Sequence, residues 1–301
     1  MKVRIGYGLG ARTRLNDVGF GTVVDALERL RFDSLWLSER IGGDAPDPVV
    51  AMSFAAARTT RLKFGMSVMV LPGRNPIVLA KELATLDRMS GGRLLPAFGL
   101  GVADPLEQQA FGVERSERAG IFNEALAVIR SCWNDERVDF HGRHFDYTDL
   151  RVEPKPVQRP PEVWLGGLAE SELKRVGRLA DGWLPSFVTP EDAQKGWATV
   201  TGVAAEHGRT IDPEHFGVLI PYATGPLPDK ALAGFKARRP DLEDMSRIVP
   251  TNWDEMERLI HGFVAVGASK FVIVPVAEPR SIDEWSDHLE EVAARMIPLQ
   301  T

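Results

Sequence analysis

The stretch LATLDRMSGGRLLPAFGLG, residues 83–101, joins a helix end, a tight turn and a strand without a break. Its apolar residues recur at helical spacing as far as Met89, and Gly91–Gly92 then provides a pair that readily adopts positive φ and ends a helix. The apolar run that follows has the length of a strand and closes on Gly99–Gly101. We therefore predict an αβ unit whose strand end lets a ligand approach the main chain.

The same alternation of strand and helix repeats along the chain. The predicted strands cover residues 3–7, 34–38, 62–70, 94–100, 163–165, 182–185, 216–223 and 271–274. A β-hairpin with a proline-rich connector interrupts the rhythm at about 134–161, and an excursion rich in Pro, Arg and Asp interrupts it at 225–250. Eight βα units predict an α/β fold, a (β/α)₈ TIM barrel with the hairpin before strand 5 and the excursion after strand 7. We expect one domain over residues 1–301, with its active site at the carboxyl ends of the strands.

Charge and composition exclude several classes of protein. The chain has 36 basic and 42 acidic residues and a formal net charge of −6, so it offers no basic face to nucleic acid. Neither a membrane-length apolar run nor a secretion signal is present, so we expect a cytoplasmic protein without a membrane partner. The six histidines show no metal-binding spacing, and no metal is expected. We expect Cys132 to be a packed thiol, and we expect the tryptophans on or beside strands to pack rather than line a pocket; these are Trp36, Trp164 and Trp183.

Two stretches carry a family resemblance. TLDRMSGGRL followed by GLG covers residues 85–101, and PPEVWLGG followed by LKRVGRLADGWLP covers residues 160–185. In their order, their separation and the hairpin between them, they resemble the bacterial luciferase-like superfamily of flavin and deazaflavin oxidoreductases, in particular the branch that uses coenzyme F420. The resemblance implies a barrel enzyme that forms a homodimer and acts on a small-molecule substrate.

The resemblance also implies which positions bind the coenzyme. In the family, main-chain N–H groups at the Gly-rich end of strand 4 and after strand 5 hold the phosphate and ribityl chain, helped by the start of the following helix. A bulge with a non-proline cis peptide at the end of strand 3 presses on the deazaflavin, and we expect that bond between Ser67 and Val68. The matching positions here are Ser67, Val68, Gly99, Leu100, Gly101, Val102, Leu165, Gly166 and Gly167.

The loop after strand 2 departs from well-known relatives. F420-dependent sugar-phosphate and alcohol dehydrogenases carry Asp-His where this chain has Glu39-Arg40, and the glucose-6-phosphate enzymes carry a glutamate where it has Val102. An arginine stays protonated and cannot relay a proton, which disfavours hydroxyl oxidation by the relatives' mechanism. We expect Glu39 to hydrogen-bond the coenzyme ring, and Arg40 to pair with Glu39 or to bind an anionic substrate. The alternative is an exposed Glu-Arg pair without a role.

The resulting hypothesis is an F420-dependent oxidoreductase that moves a hydride between C5 of the deazaflavin and a small organic substrate, with Glu39 and Arg40 as candidate catalytic residues. The first alternative is an FMN-dependent monooxygenase, and the second is a barrel that binds a flavin without turnover. Because the negative net charge would repel the phosphate and oligoglutamate tail of F420, local basic residues must compensate. The candidates near the mouth of the barrel are Arg40, Arg74 and Lys155. No motif identifies the substrate.

Overall fold

Eight parallel strands form the centre of the molecule in a computed structural model that describes residues 2–301. Residue 1, the first of the predicted domain, lies outside the described residues. The strands are β1 (Arg4–Leu9), β2 (Ser34–Leu37), β3 (Lys63–Met66, resuming at Met69–Val70), β4 (Leu94–Leu95, resuming at Ala97–Gly99), β5 (Trp164–Leu165), β6 (Gly182–Trp183), β7 (Gly217–Tyr222) and β8 (Lys270–Pro275). They pair in the order β7-β8-β1-β2-β3-β4-β5-β6. Isolated parallel bridges, from Trp183 to Phe216 and from Ser186 to Leu219, join β6 to β7.

Helices alternate with the strands, as the sequence predicts. The α-helices are Asp17–Arg29, Pro48–Arg58, Pro76–Ser90, Pro105–Phe111, Arg118–Asn134, Glu170–Leu179, Pro190–Glu206, Asp229–Arg238, Trp253–Ala265 and Ile282–Met296, and short 3₁₀ helices cover Pro213–His215, Met245–Arg247 and Ile297–Leu299. In the αβ unit predicted first, the Asn75 side chain caps the helix start, and Gly91, at φ 70°, ends the helix.

Both predicted interruptions of the repeat are present, and the structure adds a third. The hairpin pairs Val138–His141 with Asp146–Leu150, and the excursion after β7 forms the helix Asp229–Arg238. The unpredicted addition is the helix Pro105–Phe111 in the loop after β4. Its signals were available in the sequence, because Asp104 caps its start and Gly112, at φ 63°, ends it. The (β/α)₈ barrel with its two insertions is thus confirmed.

Two tryptophans fill the barrel interior. The rings of Trp36 and Trp164 meet edge to face, with their centroids 6.5 Å apart. A Cβ atom added at Gly6 or Gly65 would lie 2.9 Å from the Trp36 ring, and one added at Gly182 would lie 2.6 Å from the Trp164 ring. Glycines on neighbouring strands therefore provide the volume that the indoles occupy. Together with the complete burial of Trp183, this confirms that the three tryptophans pack.

A buried ion pair closes the amino-terminal end of the barrel. The Lys270 ammonium group donates to Asp33 at 2.6 Å, and Lys63 lies 3.4 Å from the same carboxylate. Burial alone would raise the pKa of Asp33, but the two ammonium groups outweigh it and lower the pKa to about 2. Burial in turn lowers the pKa of Lys270.

The structure also bears on three expectations about the free cysteine, membrane-spanning helices and metal-binding groups. Cys132 is buried, and burial raises the pKa of its thiol to about 11, which confirms a packed thiol. Within residues 2–301, no helix has both the length and the apolar character needed to cross a membrane. The same part of the chain contains no group of three or more His, Cys, Asp or Glu side chains arranged to hold a metal ion.

Candidate coenzyme site

The ends of β3, β4 and β5 lie side by side at one face of the barrel. Val70 pairs with Gly99, and Phe98 pairs with Leu165. The next step in this register brings Gly166 beside Gly99. Because the three strands are parallel, their carboxyl ends meet at the same face. The structure therefore brings together the predicted coenzyme-binding positions of three strands.

Val68 explains the glycine at position 99. A Cβ atom at Gly99 would lie 2.4 Å from Val68 Cγ2, so only glycine leaves room for this side chain. The peptide bond between Ser67 and Val68 is cis, as predicted. The Ser67 hydroxyl oxygen is buried and has no hydrogen-bond partner among residues 2–301. Because buried polar atoms almost always have a hydrogen-bond partner, this hydroxyl is a candidate to contact an ordered water or a bound ligand.

The turn after β4 is held by an arginine. Gly101 has a φ of 78°, and a Cβ atom there would lie 3.0 Å from Val70 Cγ1. Arg118 Nη1 donates to the main-chain oxygens of Leu100, Gly101 and Val102 at 3.3, 2.9 and 3.1 Å. One guanidinium group thus fixes the orientation of three successive carbonyls. Sequence patterns do not reveal this role of Arg118, because no spacing rule distinguishes an arginine in the first turn of a helix from a solvated one.

The end of β5 contributes main chain rather than side chains. Leu165 is buried in the hydrophobic core, so only its backbone can reach a ligand. A Cβ atom at Gly166 would meet only the Leu184 carbonyl oxygen, at 3.2 Å. Gly167, at φ 106°, allows the close approach of Glu172. The Glu172 carboxylate accepts the N–H groups of Leu168 and Ala169, both at 3.0 Å, so these two donors at the helix start are already engaged.

Glu39 is buried and is held by two donors. Its Oε2 accepts the Val70 N–H at 2.7 Å, and its Oε1 pairs with Arg74. Burial raises the pKa of Glu39, against the opposing effects of Arg74 and the Val70 N–H. The expectation of an exposed Glu-Arg pair is therefore wrong for Glu39, because this buried carboxylate ties the end of β2 to the end of β3.

Arg40 pairs with carboxylates other than Glu39. Its Nη2 lies 3.1 Å from Asp104 Oδ2, and its Nε lies 3.3 Å from Glu107 Oε1. The predicted pairing of Arg40 with Glu39 is wrong, because Arg74 at the end of β3 occupies that carboxylate. Instead, Arg40 fastens the helix Pro105–Phe111 to the loop after β2. Val102, at the start of the loop after β4, is partly exposed beside this contact and lines a shallow surface pocket together with Glu107.

Lys155 lies at the opposite end of the barrel. Its ammonium group donates to the Cys132 carbonyl oxygen at 2.8 Å and to the Asp135 carbonyl oxygen, at the carboxyl end of the helix Arg118–Asn134. That helix returns from the carboxyl end of β4 to the amino-terminal face of the barrel. The expectation that Lys155 lies near the mouth is therefore wrong, because the connector that carries it runs beneath the barrel.

The glycine-rich ends of neighbouring strands, gathered at one face, define a (β/α)₈ barrel with a main-chain cradle for a ligand. A comparison with family models identifies the lineage. The chain belongs to the family described as luciferase-like monooxygenase, whose model matches residues 18–294.

Individual relatives agree with this assignment. The F420-dependent glucose-6-phosphate dehydrogenase of Kineococcus radiotolerans is 32% identical over 167 residues, which cover 52% of this chain and 49% of the dehydrogenase. The match thus spans about half the length of that relative. Among solved structures, an F420-dependent secondary alcohol dehydrogenase in complex with an F420-acetone adduct aligns with a TM-score of 0.81 at 20% identity, covering all of both chains. The FMN complex of a type II Baeyer-Villiger monooxygenase from Pseudomonas putida aligns with a TM-score of 0.81 at 18% identity, covering 99% of each.

Proposed function

We propose that the chain is an F420-dependent oxidoreductase that transfers a hydride between C5 of the deazaflavin and a small organic substrate. The observation that carries this proposal is the cradle formed by the ends of three strands. Val70, Gly99 and Gly166 lie at one level, and the Val68 side chain reaches the main chain of Gly99. The adjacent Ser67 hydroxyl lacks a partner within residues 2–301. This arrangement suits a flat ring system with a polar chain, and the name of the Kineococcus relative supports F420 as its identity.

The residues of the chain have distinct roles in this proposal. The bound coenzyme supplies or accepts the hydride, and the barrel supplies orientation and excludes water. Ser67 and Val68 support the ring, while the main chain at Gly99, Leu100, Gly101, Val102, Leu165, Gly166 and Gly167 lines the rest of the coenzyme site. Glu39 could contact the ring only by giving up its bond to the Val70 N–H or to Arg74. We therefore assign it the role of holding the ends of β2 and β3 in place. Arg40 remains a candidate for contact with the substrate through its position in the loop after β2.

An FMN-dependent monooxygenase is the second candidate, and the description of the matching family favours it. The same cradle accommodates either coenzyme, since its contacts come from main-chain groups and small side chains. Reduced FMN reacts with oxygen whereas deazaflavins do not, so oxygen consumption by the reduced complex separates the two proposals. A barrel that binds a flavin without turnover would show neither reaction.

Direct titration tests the proposed coenzyme. Purified protein without coenzyme is titrated with F420 and with FMN, and we expect the dissociation constant to be at least tenfold lower for F420, which corresponds to about 1.4 kcal/mol. Gly166→Val should weaken binding, because it adds a branched side chain at the end of β5, one of the three strand ends of the cradle, while Gly202→Val provides a control at a position with open space. Tighter binding of FMN would contradict the F420 proposal and favour the monooxygenase.

From the family resemblance we also propose a single cytoplasmic domain that assembles as a homodimer. The family match over residues 18–294 supports one domain. Sedimentation equilibrium at micromolar concentration should give twice the 33.2 kDa mass of the chain. A monomer under these conditions would contradict the dimer and leave the coenzyme proposal unaffected.

A further inference from the structure

A glutamate after β8 lies at the same face of the barrel as the coenzyme site. Gly8 and Gly10, two positions apart at the end of β1, face the same side of the strand. A Cβ atom at Gly8 would touch Val272 and Val274 in the barrel interior, and the nearest atom to a Cβ at Gly10 is Glu278 Oε1, at 3.9 Å. The Glu278 carboxyl group therefore lies above the interior side chains, at the mouth of the barrel.

The surroundings of Glu278 differ from those of Glu39. The Thr13 hydroxyl, itself almost completely buried, donates to Glu278 Oε1, and no salt bridge to this carboxyl group is present within residues 2–301. Burial raises the pKa of Glu278, while Thr13, the Arg14 N–H and the more distant Arg12 guanidinium oppose the shift. Tyr7 of β1 also senses this carboxylate, which helps to raise the pKa of the Tyr7 hydroxyl group.

We propose that Glu278 faces the bound coenzyme and exchanges a proton with the substrate, an inference that rests on the proposed oxidoreductase function. When a carbonyl carbon accepts a hydride from the reduced coenzyme, its oxygen needs a proton. The carboxylic acid of Glu278 gives that proton and becomes a carboxylate, and an alcohol substrate returns the proton when the hydride moves the other way. Arg40 cannot take this role, because its guanidinium group stays protonated and Asp104 and Glu107 engage it.

If Glu278 had a purely structural role, it would hold the loop after β1 in place through its hydrogen bond with Thr13. Two variants separate the roles. Glu278→Gln keeps an oxygen that accepts the Thr13 hydrogen bond but removes the titrating group. Thr13→Val removes the hydrogen bond to Glu278 but keeps the carboxyl group. Because that hydrogen bond lowers the pKa of Glu278 in the parent, Glu278 should titrate at higher pH in this variant. Glu82→Gln, an exposed position on the helix Pro76–Ser90, is the control.

The test is the proton uptake that accompanies coenzyme binding, measured by titration calorimetry with F420 in buffers of different ionisation enthalpy from pH 4 to 8. An anionic ligand beside the carboxyl group raises its pKa, so binding should take up protons near that pKa. We expect Glu278→Gln to lose more than about half of the uptake, Thr13→Val to move its maximum to higher pH, and Glu82→Gln to match the parent.

The outcomes separate a failure of this inference from a failure of the proposed function. If F420 binds with the same uptake in the parent and in Glu278→Gln, the inference is overturned and the proposed function stands. If Glu278→Gln fails to fold, the Thr13→Val profile decides, and an unshifted maximum overturns the inference. If FMN binds instead of F420, the F420 proposal is contradicted, and equal proton uptake by the parent and by Glu278→Gln in the titration with FMN overturns the inference as well. If neither coenzyme binds, the proposed function and the inference are both overturned.

Discussion

At the scale of single residues, Gly101 gives the most direct test of the cradle. Gly101→Ala adds a Cβ atom 3.0 Å from Val70 and places alanine at a φ of 78°. Gly208→Ala is the matched control, because it places alanine at a φ of 67° in open space. Both variants share a conformational cost of roughly 1–2 kcal/mol. Only Gly101→Ala should also raise the F420 dissociation constant, by about tenfold or more.

Fluorescence titration of the two variants measures this difference, and thermal unfolding checks that both fold. An F420 dissociation constant for Gly101→Ala within about threefold of the parent, a difference below ~1 kcal/mol, would remove Gly101 from the coenzyme site. Gly166→Val should follow Gly101→Ala if both strand ends line the same ligand.

The buried ion pair makes a second prediction at residue scale. Asp33→Asn leaves the Lys270 ammonium group buried without its partner, and we expect it to lower the free energy of unfolding by about 3–5 kcal/mol. Lys63→Met is the control, because Lys63 touches the same carboxylate from a more exposed position and should cost less than about 1 kcal/mol. Urea unfolding at pH 7 compares the two, and equal losses would contradict the assignment.

The same pair predicts a dependence of stability on pH. The pKa of Asp33 is about 2 in the folded protein, below its ordinary value of 3.8, so its stabilising contribution is complete above pH 3.8 and is lost as the pH falls through about 2. The contribution amounts to roughly 2 kcal/mol. The difference in unfolding free energy between the parent and Asp33→Asn should therefore narrow by about 2 kcal/mol as the pH falls from 4 to 2. A constant difference over that range would contradict the lowered pKa.

At the scale of elements, the helix Pro105–Phe111 depends on Arg40. Arg40→Gln removes the ion pairs with Asp104 and Glu107, so amide hydrogen exchange in residues 104–112 should accelerate, by about tenfold if 1.4 kcal/mol is lost locally. The melting temperature should change little, because this helix lies outside the barrel. Arg14→Gln removes the exposed pair with Asp44 and should leave this exchange unchanged. Unchanged exchange in Arg40→Gln would mean that other contacts hold the helix.

Elements also show what a sequence can and cannot predict. Strand order and hairpin position follow from local periodicity, and the glycines at 99, 101 and 166 follow from the need for close approach to the main chain. The partners of Arg40 and Lys155 do not follow, because a long side chain can reach any loop that folding brings near it. The contacts of Arg118 and Glu278 do not follow from the sequence for the same reason, since they join segments that share no local pattern. The helix after β4 was readable from Asp104, Pro105 and Gly112.

At the scale of the whole molecule, net charge sets the conditions for binding an anionic coenzyme. The charge of −6 repels F420, whereas Arg118 places a cation beside the turn after β4. We expect F420 affinity to weaken as ionic strength rises past about 0.1 M, where the screening length is about 10 Å. Arg118→Met should flatten this dependence. Lys155→Met, at the far end of the barrel, should keep the slope of the parent, and equal slopes for both variants would place the anionic tail elsewhere.

The two indoles inside the barrel have a consequence for how this sequence can change through evolution. Gly6 and Gly65 border one indole, and Gly182 borders the other. A mutation that enlarges one of these glycines is tolerated only after Trp36 or Trp164 has been replaced by a smaller residue, and that replacement alone leaves a cavity that destabilises the barrel. Descendants of this chain should therefore change these positions in pairs, so that an alignment of them would show glycine and tryptophan retained or lost together.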